Sequence, residues 1–357
     1  MRARLILVVA IVFGLLLAAC GQAAAPAAPT QAPAATGAKP DAAKVEYPTM
    51  AFKAGSPFAQ DHLMGLAVDR FAKNMSEMSG GKITVEVFHA GSLVTGKNEL
   101  DVLAKSVVDF ASISSPYHTG ELPYFDEATL MPFIFNYKSL PALFQKAKPA
   151  FEQDLATYQV KLLAHMPELI GFFLPKAIDS KNPSFAGMKL RSAGGTMTNM
   201  IRQFGGSTVD MPSPDVPVAI RTGVVQGLGT SIFSWDTLGI MEDAPHAYYT
   251  SESIFFFFFA MNKDRYAKLP PAVQQLVDKA SLATEQWVYE NVQRLEADII
   301  KKAQSKPKVQ LHELSADEVK AWSTKMQPVY DDFVKRHGDK GAQFLKLAAQ
   351  AMAETSK

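Results

Sequence analysis

Beyond residue 45 the apolar and polar positions switch repeatedly between a two-residue and a helical period. Residues 47–54 read as a strand. Residues 60–78 read as a helix with Leu63, Leu66, Ala67, Phe71 and Met75 on one face, ended by Gly80-Gly81. Residues 82–88 alternate strictly and predict a strand. A helix follows over 99–106 and a strand over 108–113. This rhythm predicts α/β architecture with a largely parallel sheet, in which ligands sit beyond the carboxyl ends of the strands.

A second unit repeats the theme. Strands are expected over 161–166, 172–178, 188–191 and 208–211, with helices over 196–204 and 215–222. Residues 224–225 and 231–235 flank one more junction. The run Ile254-Phe255-Phe256-Phe257-Phe258-Phe259-Ala260 is too short to span a bilayer, and reads as a strand buried on both faces. Residues 271–305 hold no Gly or Pro after Pro271, which suits a helix's first turn. Val273, Leu276, Val277, Ala280, Trp287, Val288, Val292, Leu295 and Ile299 keep helical spacing. About 34 such residues would reach roughly 50 Å, longer than a small domain is wide. A helix of that length, if unbroken, runs across more than one domain. Residues 317–337 predict a further helix, kinked or interrupted at Pro328. No internal repeat is visible.

The chain's start changes the picture. Arg2 and Arg4 precede an apolar run of about fourteen residues that ends at Leu17-Ala18-Ala19-Cys20. The run is shorter than the roughly 20 residues of a span and ends in small residues, as a signal peptide does. Cys20 is the chain's one cysteine, so no disulfide can form within it. The pattern resembles a bacterial lipobox. That resemblance implies a signal peptide over 1–19 and a diacylglycerol anchor on Cys20. Ala, Pro, Thr, Gln and Gly then dominate to about Lys44. Such a stretch cannot bury a core and serves as a tether over 20–45.

Charge excludes some partners. Lys and Arg number 36 against 35 Asp and Glu, and 34 against 35 once Arg2 and Arg4 are removed. Nucleic acid needs a basic patch, which that balance argues against. Catalytic patterns also fail. Gly91-Ser92-Leu93-Val94-Thr95-Gly96-Lys97 has P-loop spacing, but Asn98 stands where the magnesium-binding hydroxyl belongs. Gly227-Leu228-Gly229 lacks the third glycine of a dinucleotide loop, Ile232 standing there. The seven histidines are dispersed, with no His-Glu-x-x-His, and there is no Gly-x-Ser-x-Gly elbow. Glu242-Asp243 and Asp331-Asp332 read as solvated faces. No enzyme, metal or cofactor is expected.

Four segments point elsewhere. They are Ala90-Gly91-Ser92-Leu93, Ala186-Gly187-Met188-Lys189-Leu190-Arg191, the run Pro212 to Gly227, and Met261-Asn262-Lys263 with Leu269-Pro270 and Gln274-Gln275. In this order they resemble the solute-binding proteins of tripartite ATP-independent periplasmic (TRAP) transporters, across about residues 47–309. Val94 replaces a motif glycine, and Glu99 falls one residue late.

The resemblance implies a two-lobed periplasmic-binding-protein fold, type II-like, with a long helix spanning both lobes. Lobe I would hold 46–167 with about 257–300, and lobe II 168–256 with about 301–357. It implies capture of a small organic acid and delivery to a membrane permease. The alternative is a binding protein of another transporter class or of a sensor. Arg191 would hold the ligand's carboxylate, because guanidinium offers a matching planar fork. The family's second arginine is replaced by Pro175 with Lys176 beside it, and its usual asparagine falls near Thr230 or Ser231. Phe173 and Trp235 stand nearby and favour a carboxylate with an apolar or aromatic body. Glu99, Tyr117 and His62 complete the candidate contacts.

Overall fold

The structure, a computed structural model, describes residues 45–355. The expected signal segment, Cys20 and the tether through residue 44 lie outside the described residues.

The first half builds β1 (Met50–Gly55), α1 (Leu63–Met78), β2 (Ile83–Phe88), α2 (Glu99–Ala104), β3 (Phe110–Ile113), α3 (Pro123–Thr129), α4 (Leu140–Ala156) and β4 (Val160–Leu174). The second builds β5 (Lys189–Ser192), α5 (Gly195–Gln203), β6 (Ser207–Asp210), α6 (Val216–Arg221), β7 (Gly227–Ser231) and α7 (Ile232–Thr237). The chain then returns through β8 (His246–Asn262), α8 (Lys263–Ala267), α9 (Pro271–Gln304), β9 (Gln310–Glu313) and α10 (Ala316–Thr355).

The described strands form one nine-stranded sheet of order β2-β1-β3-β8-β4-β7-β5-β6, with β9 on β8. The sheet is mixed. The outer pairs β1–β2, β1–β3, β5–β6, β5–β7 and β8–β9 are parallel, while β3–β8, β4–β7 and β4–β8 are antiparallel. The expected parallel character holds in each flank and fails at the centre. There two long strands, β4 and β8, run side by side and carry both flanks. The two strands expected over 161–166 and 172–178 are one, continuous through Pro167. Its register against β8 slips between Leu162 and Ala164 and again between Leu169 and Gly171.

The phenylalanine run is buried on both faces. Phe257 meets Phe58 and Phe259 meets Phe71 on one side, while Phe256 meets Phe135 and Phe258 meets Phe125 on the other. Edge-to-face and tilted pairs of this kind add to the burial of large apolar rings.

Helix α9 is continuous over 34 residues, about 50 Å. Near its start Ala280 and Thr284 accept hydrogen bonds from Asn74 of α1. Near its end Lys302 pairs with Asp236 of α7. Between these two, Glu296 accepts the amide of Leu169 at 2.8 Å, at the second register slip of β4. The helix thus ties the first flank, the central strands and the second flank together. Helix α10 runs through Pro328 and turns instead at Gly338, whose φ of 55° and ψ of −136° are not helical. Among the described residues no helix is long and apolar enough to cross a membrane.

Candidate functional site

A narrow, partly open cavity of about 20 Å³ lies where the two flanks meet over the central strands. Its apolar wall is Phe58, Leu130, Met197, Phe255 and Phe257, and its polar groups include Tyr117, Ser213, Thr230, Ser234 and Arg191.

Arg191 ends the Met188-Lys189-Leu190-Arg191 segment on β5, beyond which the cavity opens. It is only 1 % exposed. Its Nε and Nη2 donate to the Met211 carbonyl at 3.0 and 2.8 Å, and Nη1 donates to the Gly229 carbonyl at 3.3 Å. Nη2 also reaches the Tyr117 hydroxyl at 3.2 Å and Ser213 Oγ at 3.4 Å. Every partner is neutral. Among the described residues Arg191 forms no ion pair with an acid. A guanidinium cannot shed its proton in a protein, and a buried charge without a counterion is costly. The guanidinium is thus a positioned, buried cation held by neutral oxygens.

Tyr117 comes from the other flank, on the one-turn 3₁₀ helix Ser115–His118. Its hydroxyl also accepts the Ser213 amide at 3.1 Å. A buried network holds that turn. His118 Nε2 contacts Glu99 Oε2 at 2.9 Å, His118 Nδ1 contacts Glu121 at 2.8 Å, and Glu99 Oε2 accepts the Ser114 amide at 2.8 Å. Burial works against charge on His118, but its bonds and attraction to Glu99 and Glu121 outweigh it and raise the pKa above the ordinary value. Glu99 thus positions the Tyr117 turn from behind and does not line the cavity.

The flanks also meet at Asp126 of α3. Burial pushes its carboxyl up to about 7, although Thr119 and the Thr196 amide donate to it. Thr196 lies in the first turn of α5, where a carboxylate is favoured. The approach demands glycine: Gly195 has φ 50°, and a Cβ there would stand 1.8 Å from Asp126 Oδ2.

His62 is fully buried and stacks on Phe58 at 4.3 Å. It caps α1: Nδ1 accepts the Met64 amide at 3.2 Å, which leaves the proton on Nε2, 3.1 Å from Ser234 Oγ. Burial lowers its pKa to about 3, so it is neutral. Ser231 ends β7, caps α7 by accepting the Ser234 amide, and lies 3.5 Å from His62 Nε2.

Of the residues singled out from sequence, Arg191, Tyr117 and Thr230 meet on the cavity wall. His62 and Ser231 stand directly behind Ser234. Phe173 and Trp235 do not reach the cavity; they stack on each other at 4.5 Å in the core, where Trp235 Nε1 donates to the Ala244 carbonyl. Lys176 lies beyond the end of β4 and is exposed. Sequence reasoning missed Phe58, Met197, Ser213 and Ser234. Ser213 sits within the distinctive Pro212-Ser213-Pro214 run, and Phe255 and Phe257 were legible only as core. Among the described residues no group of three or more His, Cys, Asp or Glu side chains could hold a metal.

Residues 54–337 match the family described as bacterial extracellular solute-binding protein, family 7. The ectoine-binding periplasmic protein TeaA of Halomonas elongata is 24% identical over 282 residues, which cover 73% of this chain and 79% of that protein. Two solved structures share the fold. One is DctP6, a Bordetella pertussis extracytoplasmic solute receptor binding pyroglutamic acid: TM-score 0.78, 19% identity, 84% of this chain and all of that one. The other is a marine metagenome TRAP solute-binding protein specific for pyroglutamate: TM-score 0.77, 18% identity, 85% of this chain and all of that one.

Proposed function

For this chain, which belongs to bacterial extracellular solute-binding protein family 7, we propose that the bound solute is a small monocarboxylate with a compact apolar body. Arg191 takes the carboxylate, and Tyr117 and Ser213 fix the guanidinium and complete the polar end. Phe58, Phe255, Phe257 and Met197 receive the rest of the molecule. The carrying observation is the buried Arg191 guanidinium on the cavity wall, satisfied only by neutral oxygens. One cation and an aromatic lining suit one carboxylate better than two. TeaA and DctP6, named above for ectoine and pyroglutamic acid, offer two small ring solutes that each carry one carboxyl group.

In this reading lobe I comprises 46–167 with about 257–300, and lobe II 168–256 with about 301–357. The solute draws them together through Arg191 on one side and Tyr117 on the other, with bending at the register slip near Leu169. The closed form delivers the solute to a membrane permease, and lipidated Cys20 keeps the protein at the membrane. Native mass spectrometry of the purified protein, before and after release of small molecules, tests the solute assignment. A released carboxylic acid, absent from Arg191→Ala, is expected. A released dication or neutral sugar would overturn it.

A further inference from the structure

Ser234 of α7 is 3 % exposed and lines the cavity. A serine hydroxyl has one hydrogen to give and two lone pairs to fill. Its neighbours decide which of these are taken. His62 Nδ1 accepts the Met64 amide at 3.2 Å, so the ring proton sits on Nε2, and that N–H donates to Ser234 Oγ at 3.1 Å. Glu168 lies 3.4 Å from Nδ1, but burial holds its carboxyl far above the ordinary range, so it is neutral and draws no proton onto that nitrogen. Ser231 Oγ accepts the Ser234 amide at 3.1 Å and turns its own hydrogen to Ser234 Oγ at 3.3 Å. Both lone pairs of Ser234 are therefore filled. Its hydroxyl hydrogen has no acceptor among the described residues.

This donor shares a wall with the guanidinium. Arg191 Nη1 donates to the Gly229 carbonyl, and Gly229, Thr230 and Ser234 follow along the cavity from there. His62, which fixes Ser234, stacks on Phe58, and Phe58 meets Phe257; both phenylalanines line the cavity. The hydroxyl thus stands among aromatic rings that offer it no acceptor. A buried donor left unpaired is costly, so a bound molecule that supplies the acceptor is favoured over one that does not.

We propose that Ser234 is a specificity-determining donor, giving a hydrogen bond to an oxygen on the body of the solute whose carboxylate rests on Arg191. His62 is the positioning residue that obliges Ser234 to donate. The solute class narrows to monocarboxylates whose body carries a carbonyl or ether oxygen. A hydroxyl free in both roles would take either kind of partner. This one turns away an N–H at that position, because no lone pair is left to receive it. The inference rests on the carboxylate reading above.

Calorimetry on the full-length protein with isosteric pairs, in which C=CH₂ replaces C=O, tests it. The pairs are 4-oxopentanoate with 4-methylenepentanoate, and 3-oxocyclopentanecarboxylate with 3-methylenecyclopentanecarboxylate. At least one ketone should bind about fivefold or more tightly than its isostere. Ser234→Ala should bring that preference below about twofold, and Arg191→Ala should weaken ketone and isostere alike. Equal affinity within both pairs for the wild type overturns the proposal, and so does a preference undiminished in Ser234→Ala. If Arg191→Ala still loses binding in either case, the carboxylate reading stands without it. If no acid of either pair binds, both readings fall. Nitrogen-15 NMR of the histidine rings, with His62→Gln to assign the signal, tests the positioning role without any solute. It should report the Nε2–H tautomer of His62 at pH 7. An Nδ1–H tautomer would tie the Ser234 hydrogen to Nε2 and overturn the proposal.

Discussion

Replacing Glu296 by glutamine should flatten the protein's stability against pH. Glu296 is 4 % exposed, and burial raises its carboxyl from 4.5 to about 7, although Tyr137 and the Leu169 amide both donate to it. Folded and unfolded chains are both protonated below pH 4.5 at this group, so nothing is lost there. Between 4.5 and about 7 the unfolded chain ionises and the folded one does not, and stability falls as pH rises. Above about 7 both are ionised and the loss is complete. A shift of about 2.5 pH units, at 1.36 kcal/mol each, makes that loss about 3 kcal/mol. Glutamine keeps Oε1 as the acceptor for Leu169 and Tyr137 but has no proton to lose. Urea unfolding of both proteins at pH 4, 6 and 8 measures the difference. Stability of Glu296→Gln minus wild type should climb by about 3 kcal/mol from pH 4 to pH 8, most of it by pH 7. A difference that stays constant within about 0.5 kcal/mol would refute the buried neutral acid.

Small-angle scattering with and without saturating solute should show the radius of gyration fall, since Arg191 and Tyr117 approach the cavity from different flanks; an unchanged radius counts against closure. Cys20→Ser in a lipoprotein-processing host should abolish palmitate labelling and release the protein from the membrane fraction. Retained label and fractionation would sink the anchor.

Much of the fold is legible from periodicity because its elements are local. Helix α1, strand β2 and helix α9 announce themselves through apolar spacing, and Pro271 marks where α9 starts. The antiparallel centre is not local. Strands β4 and β8 pair residues 160–174 with 246–262, and nothing in either segment names the other. Helices α3 and α4 went unread, since α3 is only seven residues long and Pro149 inside α4 interrupts the pattern that would mark it. The bend in α10 falls at Gly338 and not at Pro328, because glycine reaches a positive φ that ends helical geometry, while the helix carries Pro328 without breaking.

The site divides along similar lines. Arg191 stands out because a motif fixes its place at a strand end. Phe173 and Trp235 share the composition of a ligand-facing pair, but the register of β4 for Phe173 and the side of α7 for Trp235 turn both into the core, where they stack. Glu99 is a short step from the cavity in sequence terms, yet His118 and the Ser114 amide claim its carboxylate.

Calorimetry that pairs a bound acid with its own neutral amide tests the central claim most directly, with pyroglutamate and pyroglutamide as the probes. Truncating one partner of a buried, hydrogen-bonded charge pair costs about 2–5 kcal/mol. The acid should therefore bind wild type at least roughly 30-fold more tightly than the amide, and Arg191→Ala should lose at least that much for the acid. Arg191→Lys should recover only part, since an ammonium lacks the planar fork, and Lys176→Ala should change nothing. Equal affinity for acid and amide, or wild-type affinity in Arg191→Ala, would contradict the assignment of Arg191 to the carboxylate.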